Sequence, residues 1–392
     1  MLRVGFYLNS NAIGGLERHV LTLIDRLRRL HEVEVFCTDG EGAQHFYDEL
    51  TSLGLKPHWL AAQLGSKDGL VCPSISAIPI IWRARRLFAS AKLDVIHFHA
   101  GQLGLMYAPT LASWLAGIPT RILTLHNPIL RHSAARRRVE SQVLRRLSRI
   151  VTVSAYMKRE LIEKKGVAPE HIAIIGNGVD LPVFGNVMAR AEALRGLGLS
   201  EEDIVVGLVG RLHRLKGADL LIEAASLVKA RVPRVQFVLI GSGPEEYALR
   251  RLAQSRGVCD FVRFAGYRRN AWRYMTAFDV LALPSRDEAQ SIALLEAMAC
   301  GKAVVAARAG GIPEVVDEAV TGLLFPRENV SMLAQALIEL LNDPQRRASM
   351  GAAGRQRVGE RFSQQEMLRK TLAVYNGAEV EAALHPVADE SA

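Results

Sequence analysis

Residues 2–37 read LRVGFYLNSNAIGGLERHVLTLIDRLRRLHEVEVFC, and the pattern of apolar residues changes twice along them. LRVGFYL is a short apolar run that stops at Asn9 and a glycine pair, too soon for a signal-peptide core, so it reads as a first strand. Leu16, Val20, Leu23, Ile24 and Leu27 then share one face of a helix, and EVEVFC returns to the strand pattern. Strand, helix and strand in succession make a βαβ unit with its two strands parallel.

The pattern continues outward from this unit. Further strands are expected at 94–98, 120–125, 149–153 and 171–175. Periodicity then breaks at Gly176, Gly178 and Pro182 in IIGNGVDLPVFG, which places a domain boundary near 180–185. The second half restarts with DIVVGLVG, VQFVLIG, FVRFAG, DVLALPS and KAVVAA. A chain of 392 residues exceeds what one core usually serves, so two domains of roughly 150–200 residues each are the natural division. The expectation is an α/β protein with two Rossmann-like, doubly wound parallel-sheet domains, residues 1–182 and 183–362. A helix over 363–380 is expected to pack back on the first domain, and 381–392 to form a frayed tail.

Composition narrows the class. With 49% apolar and 23% charged residues the chain is globular, not disordered. The most apolar stretch, Leu70 to Trp82, holds Pro73 and Pro79 and falls short of the roughly 18–20 residues that span a bilayer. Cys37, Cys72, Cys259 and Cys300 form no C-x-x-C pair, so neither a zinc site nor a disulfide framework is expected, and a reducing cytoplasm fits. The net charge of +9 is uneven. Residues 1–180 carry 23 Lys+Arg against 15 Asp+Glu, and the remainder 26 against 25. Residues 131–149 alone hold seven arginines against Glu140. An anionic surface or ligand there and a merely solvated helix face are equal readings.

In open α/β sheets ligands settle at the carboxyl ends of strands, so the segments just after them carry the chemistry. After strand 203–210, GRLHRLKG sets Arg211 and Lys216 in a strand-to-helix loop. Two cations and a helix N-terminus suit a diphosphate; a solvated basic loop is the alternative. After strand 278–283, PSRDEAQSIALLEAMACG carries Glu288 in a loop and Glu296 two turns into a helix. Glu288 is placed to address a hydroxylated ligand, with the amides of Ala289, Gln290 and Ser291 facing negative charge. Glu296 can accept from a further pair of hydroxyls, as carboxylates do with vicinal diols.

Together, N-G-V-D, G-R-L-x-x-x-K-G and P-S-x-x-E-x7-E-A-M-A-x-G, in this order along the chain, resemble the retaining glycosyltransferases of family four, over nearly the whole chain. The resemblance implies the GT-B fold, two Rossmann-like domains with an interdomain cleft. It implies that Arg211 and Lys216 hold the donor diphosphate, that Glu288 and the following amides hold the transferred sugar, and that Glu296 binds the nucleotide ribose. It also implies that the loop of Gly14 and Gly15 approaches donor phosphates and acceptor, that His126 in TLHNP lies near the reacting sugar, that Asn177 supports the cleft and that Tyr267 runs along the nucleobase. Catalysis is thus expected from Glu288 and His126. One departure is that many relatives place glycine and an aromatic residue after the first glutamate, where this chain has Ala289, Gln290 and Ser291.

The expected activity is retaining transfer of a hexose-type sugar from a nucleotide-diphosphate sugar to a saccharide or lipid-linked acceptor in cell-surface glycan synthesis. No cofactor beyond that co-substrate is expected. No metal is expected either, because no D-x-D pair follows a strand. Gly14 and the arginines Arg136, Arg137 and Arg138 mark the acceptor or membrane side, where the arginines surround Val139, Val143, Leu144 and Leu147. The protein is expected in the cytoplasm, peripheral on the inner face of the membrane, with no nucleic-acid partner. A GT-B nucleotide-sugar epimerase and a non-catalytic binder of anionic surfaces are the alternatives. His97 and His99, taken to point in alternate directions from one strand, are expected to be structural. G-x-G at 241–243 lacks the third glycine of a dinucleotide fingerprint, Glu246 standing in its place.

Overall fold

The computed structural model describes residues 1–8, 14–37, 44–60, 77–101, 106–129, 134–185 and 187–380. The chain divides into two compact units, Met1–Asn177 with Glu366–Leu384, and Gly178–Gln365 with His385–Ala392. The tail expected over 381–392 lies outside the described residues.

The first unit is a seven-stranded, wholly parallel sheet. Its strands are β1 (Arg3–Leu8), β2 (Glu32–Cys37), β3 (His58–Trp59), β4 (Val95–Ala100), β5 (Thr120–Leu125), β6 (Arg149–Thr152) and β7 (Ile172–Ile174), in the order β3-β2-β1-β4-β5-β6-β7. β4 is buried along its whole length, because helices cover both faces of a parallel sheet. The helices are α1 (Gly15–Leu27), α2 (Gln44–Ser52), α3 (Ala77–Ala91), α4 (Tyr107–Leu115), α5 (Ala134–Leu144) and α6 (Ala155–Lys165). α1 buries Val20, Leu23, Ile24 and Leu27 on the sheet, the face expected from their spacing. α6 shows both end signals: the Ser154 hydroxyl accepts from the Met157 amide, and Gly166 closes the helix at φ 66°.

The second unit is a six-stranded parallel sheet of β8 (Ile204–Val209), β9 (Val235–Ile240), β10 (Val262–Gly266), β11 (Val280–Leu283), β12 (Ala303–Ala307) and β13 (Gly322–Phe325), ordered β10-β9-β8-β11-β12-β13. Its helices are α7 (Arg190–Leu197), α8 (Ala218–Lys229), α9 (Glu246–Ser255), α10 (Ile292–Ala299), α11 (Ile312–Val315), α12 (Val330–Leu341) and α13 (Pro344–Arg361). After α13 the chain leaves this unit, and α14 (Gln364–Tyr375) buries Met367, Val374 and Tyr375 in the core of the first.

Both sheets reverse strand order next to their first strand, between β1 and β4 and between β8 and β11. Such reversals open a crevice at the carboxyl ends of the strands, where this class of sheet binds ligands. Two strands escaped the periodicity argument. β3 is two residues at a sheet edge and β13 only four, too short to show a period.

Candidate active site

In the second unit the loops after β8 and β11 meet at the switch point. Gly217, the residue before α8, stands at φ 68° against the Pro284 carbonyl; a Cβ there would lie 1.9 Å from that oxygen. Arg286 clamps the same two loops. Its guanidinium donates to both carboxylate oxygens of Asp219 at 2.8 and 2.6 Å, to the Arg214 carbonyl at 2.8 Å and to Glu328 at 2.8 Å. This bidentate pairing raises Arg286 above its usual pKa; burial opposes the shift at Asp219, but Arg286 holds that carboxyl below its ordinary value.

Inside this frame Lys216 Nζ donates to Glu288 Oε2 at 2.5 Å, and the Ser285 hydroxyl donates to the same oxygen at 3.3 Å. Glu288 is 8% exposed and Glu296, on α10, 7%. Ala289, Gln290 and Ser291 are buried beside them, and the Ser291 hydroxyl caps α10 by accepting from the Leu294 amide. Arg211 is exposed at the start of the β8 loop, and Tyr267 follows β10 with half its surface exposed. Lys216, Ser285 and the buried Glu288 thus meet at the strand-end switch point, with the capped start of α10 next in the chain, a setting suited to a ligand with both phosphates and hydroxyls.

The first unit gathers histidines at the carboxyl ends of β4 and β5. His97 hydrogen-bonds with the Tyr375 hydroxyl at 2.8 Å and Thr124 Oγ1 at 2.7 Å. His99 Nδ1 hydrogen-bonds with His126 Nε2 at 3.1 Å, and His19 Nδ1 donates to Asn177 Oδ1 at 2.9 Å. His97 and His99 do not point in alternate directions. Residues two apart on a strand share a face, and these rings lie 4.1 Å apart. Burial pushes His19 down to about 4 and His97 to about 3, and with the neighbouring imidazoles it drives His99 and His126 well below the ordinary histidine range. All four are therefore neutral at neutral pH. Gly14 and Gly15 open α1, where the Gly14 amide donates to the Glu17 carboxylate at 2.7 Å.

With this geometry in view, comparison with known proteins is direct. Residues 13–182 match the family described as Glycosyltransferase Family 4, and residues 189–357 the one described as Glycosyl transferases group 1. A D-inositol 3-phosphate glycosyltransferase of Kribbella flavida is 32% identical over 93% of this chain and 91% of its own length. The chain belongs to the family-four glycosyltransferases. An alpha-maltose-1-phosphate synthase of Mycolicibacterium smegmatis is 30% identical, covering 92% of this chain and 95% of its own. A GDP-mannose-dependent alpha-(1-6)-phosphatidylinositol monomannoside mannosyltransferase of Mycobacterium tuberculosis is 32% identical, over 88% and 89%. Among solved structures, Anabaena HepE in complex with UDP-glucose superposes with a TM-score of 0.83 at 23% identity, over 96% of this chain and all of that one, which establishes the GT-B fold.

Elsewhere in this glycosyltransferase the sequence reading needs correction. In the arginine-rich segment, Arg137 and Arg138 on α5 are exposed, while the side chain of Arg136 lies outside the described residues. Val143, Leu144 and Leu147 are buried within the protein's own core, so the apolar side of this segment is not available to a membrane. Glu140 is also buried, paired with Lys165 at 2.6 Å. The glycines at 241 and 243 serve packing: a Cβ on Gly243 would meet the Leu212 carbonyl at 2.2 Å, which holds the β8 loop in place. Arg286 and His19 were missed as site residues. Each is a single polar side chain whose partners, Asp219 and Asn177, are remote in sequence, and only the loop motif around Glu288 hinted at Arg286.

Proposed function

We propose that this glycosyltransferase moves a hexose-type sugar from a nucleotide-diphosphate sugar to an anionic saccharide or lipid-linked acceptor, with retention of anomeric configuration. The observation that carries it is the Lys216–Glu288 contact of 2.5 Å at the switch point, with Glu296 buried nearby. Lys216, Arg211 and the start of α8 neutralise the leaving diphosphate, a task that needs no divalent ion when fixed cations and amides already face it. Glu288 and the amides of 289–291 hold the sugar, Glu296 the ribose hydroxyls, and Tyr267 the base. His126 and the Gly14–Gly15 turn serve the reacting sugar and acceptor. The acceptor oxygen attacks the anomeric carbon on the face that the diphosphate leaves, and its proton passes to the departing diphosphate oxygen.

The acceptor side draws support from charge. The excess of +8 in residues 1–180 complements a phosphorylated acceptor. Two of the relatives are named for such compounds, inositol 3-phosphate and a phosphatidylinositol mannoside. A membrane-facing patch on the first unit completes the proposal. Trp82 on α3 is 52% exposed and Trp114 on α4 48%. Arg85 lies over the Trp82 ring and donates to the Leu115 carbonyl, and Arg146 lies over the Trp114 ring, so each indole carries a guanidinium. Aromatic rings interleaved with arginine suit a headgroup interface.

The test is transfer from a panel of UDP-, GDP- and ADP-sugars with EDTA present, reading the anomer of the product by NMR. Retained configuration and no loss of rate are expected. Loss of activity on chelation, restored by manganese or magnesium, rejects the metal-free donor site; an inverted product rejects the same-face displacement.

A further inference from the structure

The histidines at the ends of β4 and β5 hold more than a structural network needs. One ligating nitrogen each from His19, His99 and His126 falls within 4.8 Å of the others. A tetrahedral ion with metal–nitrogen bonds of 2.0–2.1 Å sets its ligand nitrogens about 3.3–3.4 Å apart. The His99 Nδ1–His126 Nε2 edge is 3.1 Å, close to that spacing. His19 comes with the orienting partner that metal-bound imidazoles use, its Nδ1–H donating to Asn177 so that the lone pair sits on Nε2. His99 is fully buried and meets His126 through Nδ1, the nitrogen on that 3.1 Å edge, whereas both ring nitrogens of the adjacent His97 are already engaged by Tyr375 and Thr124.

We propose that His19, His99 and His126 form a binding site for a single zinc-class divalent ion in the first unit, separate from the diphosphate loops of the second. Three imidazoles leave a fourth position open to water or to a ligand oxygen. Occupancy ties up His126, so the ion restrains sugar transfer instead of supporting it; this consequence rests on the role proposed for His126, while the binding itself does not.

Cobalt(II) titration of chelator-treated protein tests the site by the visible absorption of the tetrahedral ion. One equivalent is expected to bind with intense absorption, and zinc to abolish that signal. His99→Ala and His126→Ala should each weaken cobalt binding by more than about 10-fold, and Asn177→Ala by about 10- to 100-fold, the range for losing an orienting partner. His58→Ala, at a half-exposed histidine paired with Glu34, should leave the stoichiometry at one. Circular dichroism and nucleotide binding by calorimetry report whether each variant is folded, with His99→Gln replacing His99→Ala if the latter is not. Wild-type protein that takes up no cobalt, or folded His99 and His126 variants that bind it as wild type does, would overturn the proposal. If cobalt and zinc bind as expected while transfer proceeds unslowed, the site stands and the role of His126 in transfer fails.

Discussion

Glu288 is the residue on which most of the proposed chemistry turns. Its carboxylate is buried, held by Lys216 and Ser285, and free to use its remaining lone pairs on sugar hydroxyls. Glu288→Gln keeps the volume and removes the charge, so kcat should fall about 10²-fold or more, the scale of losing one preorganised electrostatic contact. Steady-state kinetics at saturating donor decide this, and near-wild-type kcat would reject the assignment. Asp219 gives a pH test of the same frame. Its folded value lies below the ordinary 3.8 because Arg286 outweighs the effect of burial. The stability this contributes is present above pH 3.8 and is lost as pH falls through the lower folded value. Asp219→Asn should therefore lower Tm at pH 7, and the gap to wild type should close on acidification below the usual carboxylate range. A gap that persists unchanged at low pH would show that charge is not its source.

At the scale of elements, the site depends on how two strand-end loops are pinned. Gly217 combines a left-handed backbone with contact against the Pro284 carbonyl, so an added methyl meets backbone that no rotamer change can move. Gly217→Ala should cost at least about 1–3 kcal/mol in stability, the range for strained backbone, and should separate Lys216 from Glu288. Thermal unfolding together with calorimetric nucleotide binding reads both effects; wild-type values in the two measurements would mean that the loops are held by other contacts. The histidine ends of β4 and β5 show the converse. There the sheet register, His99 opposite Thr124, sets His126 two residues beyond and delivers the rings to one another.

At the scale of the whole molecule, the excess charge and the exposed tryptophans among the described residues fall on the first unit. The excess of +8 against +1 lies in residues 1–180, and Trp82 and Trp114 are in that unit as well. Basic residues near an anionic bilayer contribute about 1 kcal/mol each, so removing three should weaken association roughly 100-fold. In co-sedimentation with phosphatidylglycerol vesicles, wild type should pellet at low salt and dissociate at high salt. The Arg136, Arg137, Arg138→Ser triple variant should stay in the supernatant, and Trp82→Ala with Trp114→Ala should weaken the binding seen at low salt. Wild type that never pellets would reject the membrane surface and leave the transferase assignment in place.

Much of this protein is written locally in its chain. Alternating apolar runs and helical stripes dictate two parallel sheets, because a buried parallel strand has to be apolar on both faces and an amphipathic helix has to cover it. The candidate site segments could be picked out for the same reason: Arg211, Lys216 and Glu288 lie in loops just after strands and Glu296 on the helix that follows, and strand ends are where such sheets bind. What the chain does not display is any pairing that spans a long stretch of sequence. Asp219 with Arg286, His19 with Asn177 and His97 with Tyr375 join residues 67, 158 and 278 positions apart. The same holds for Val143, Leu144 and Leu147, whose spacing marks an apolar side without saying what it faces. Periodicity fixes which residues share a face; only the packed structure decides what that face meets, and so whether an arginine or a histidine is a surface charge, a clamp or part of a site.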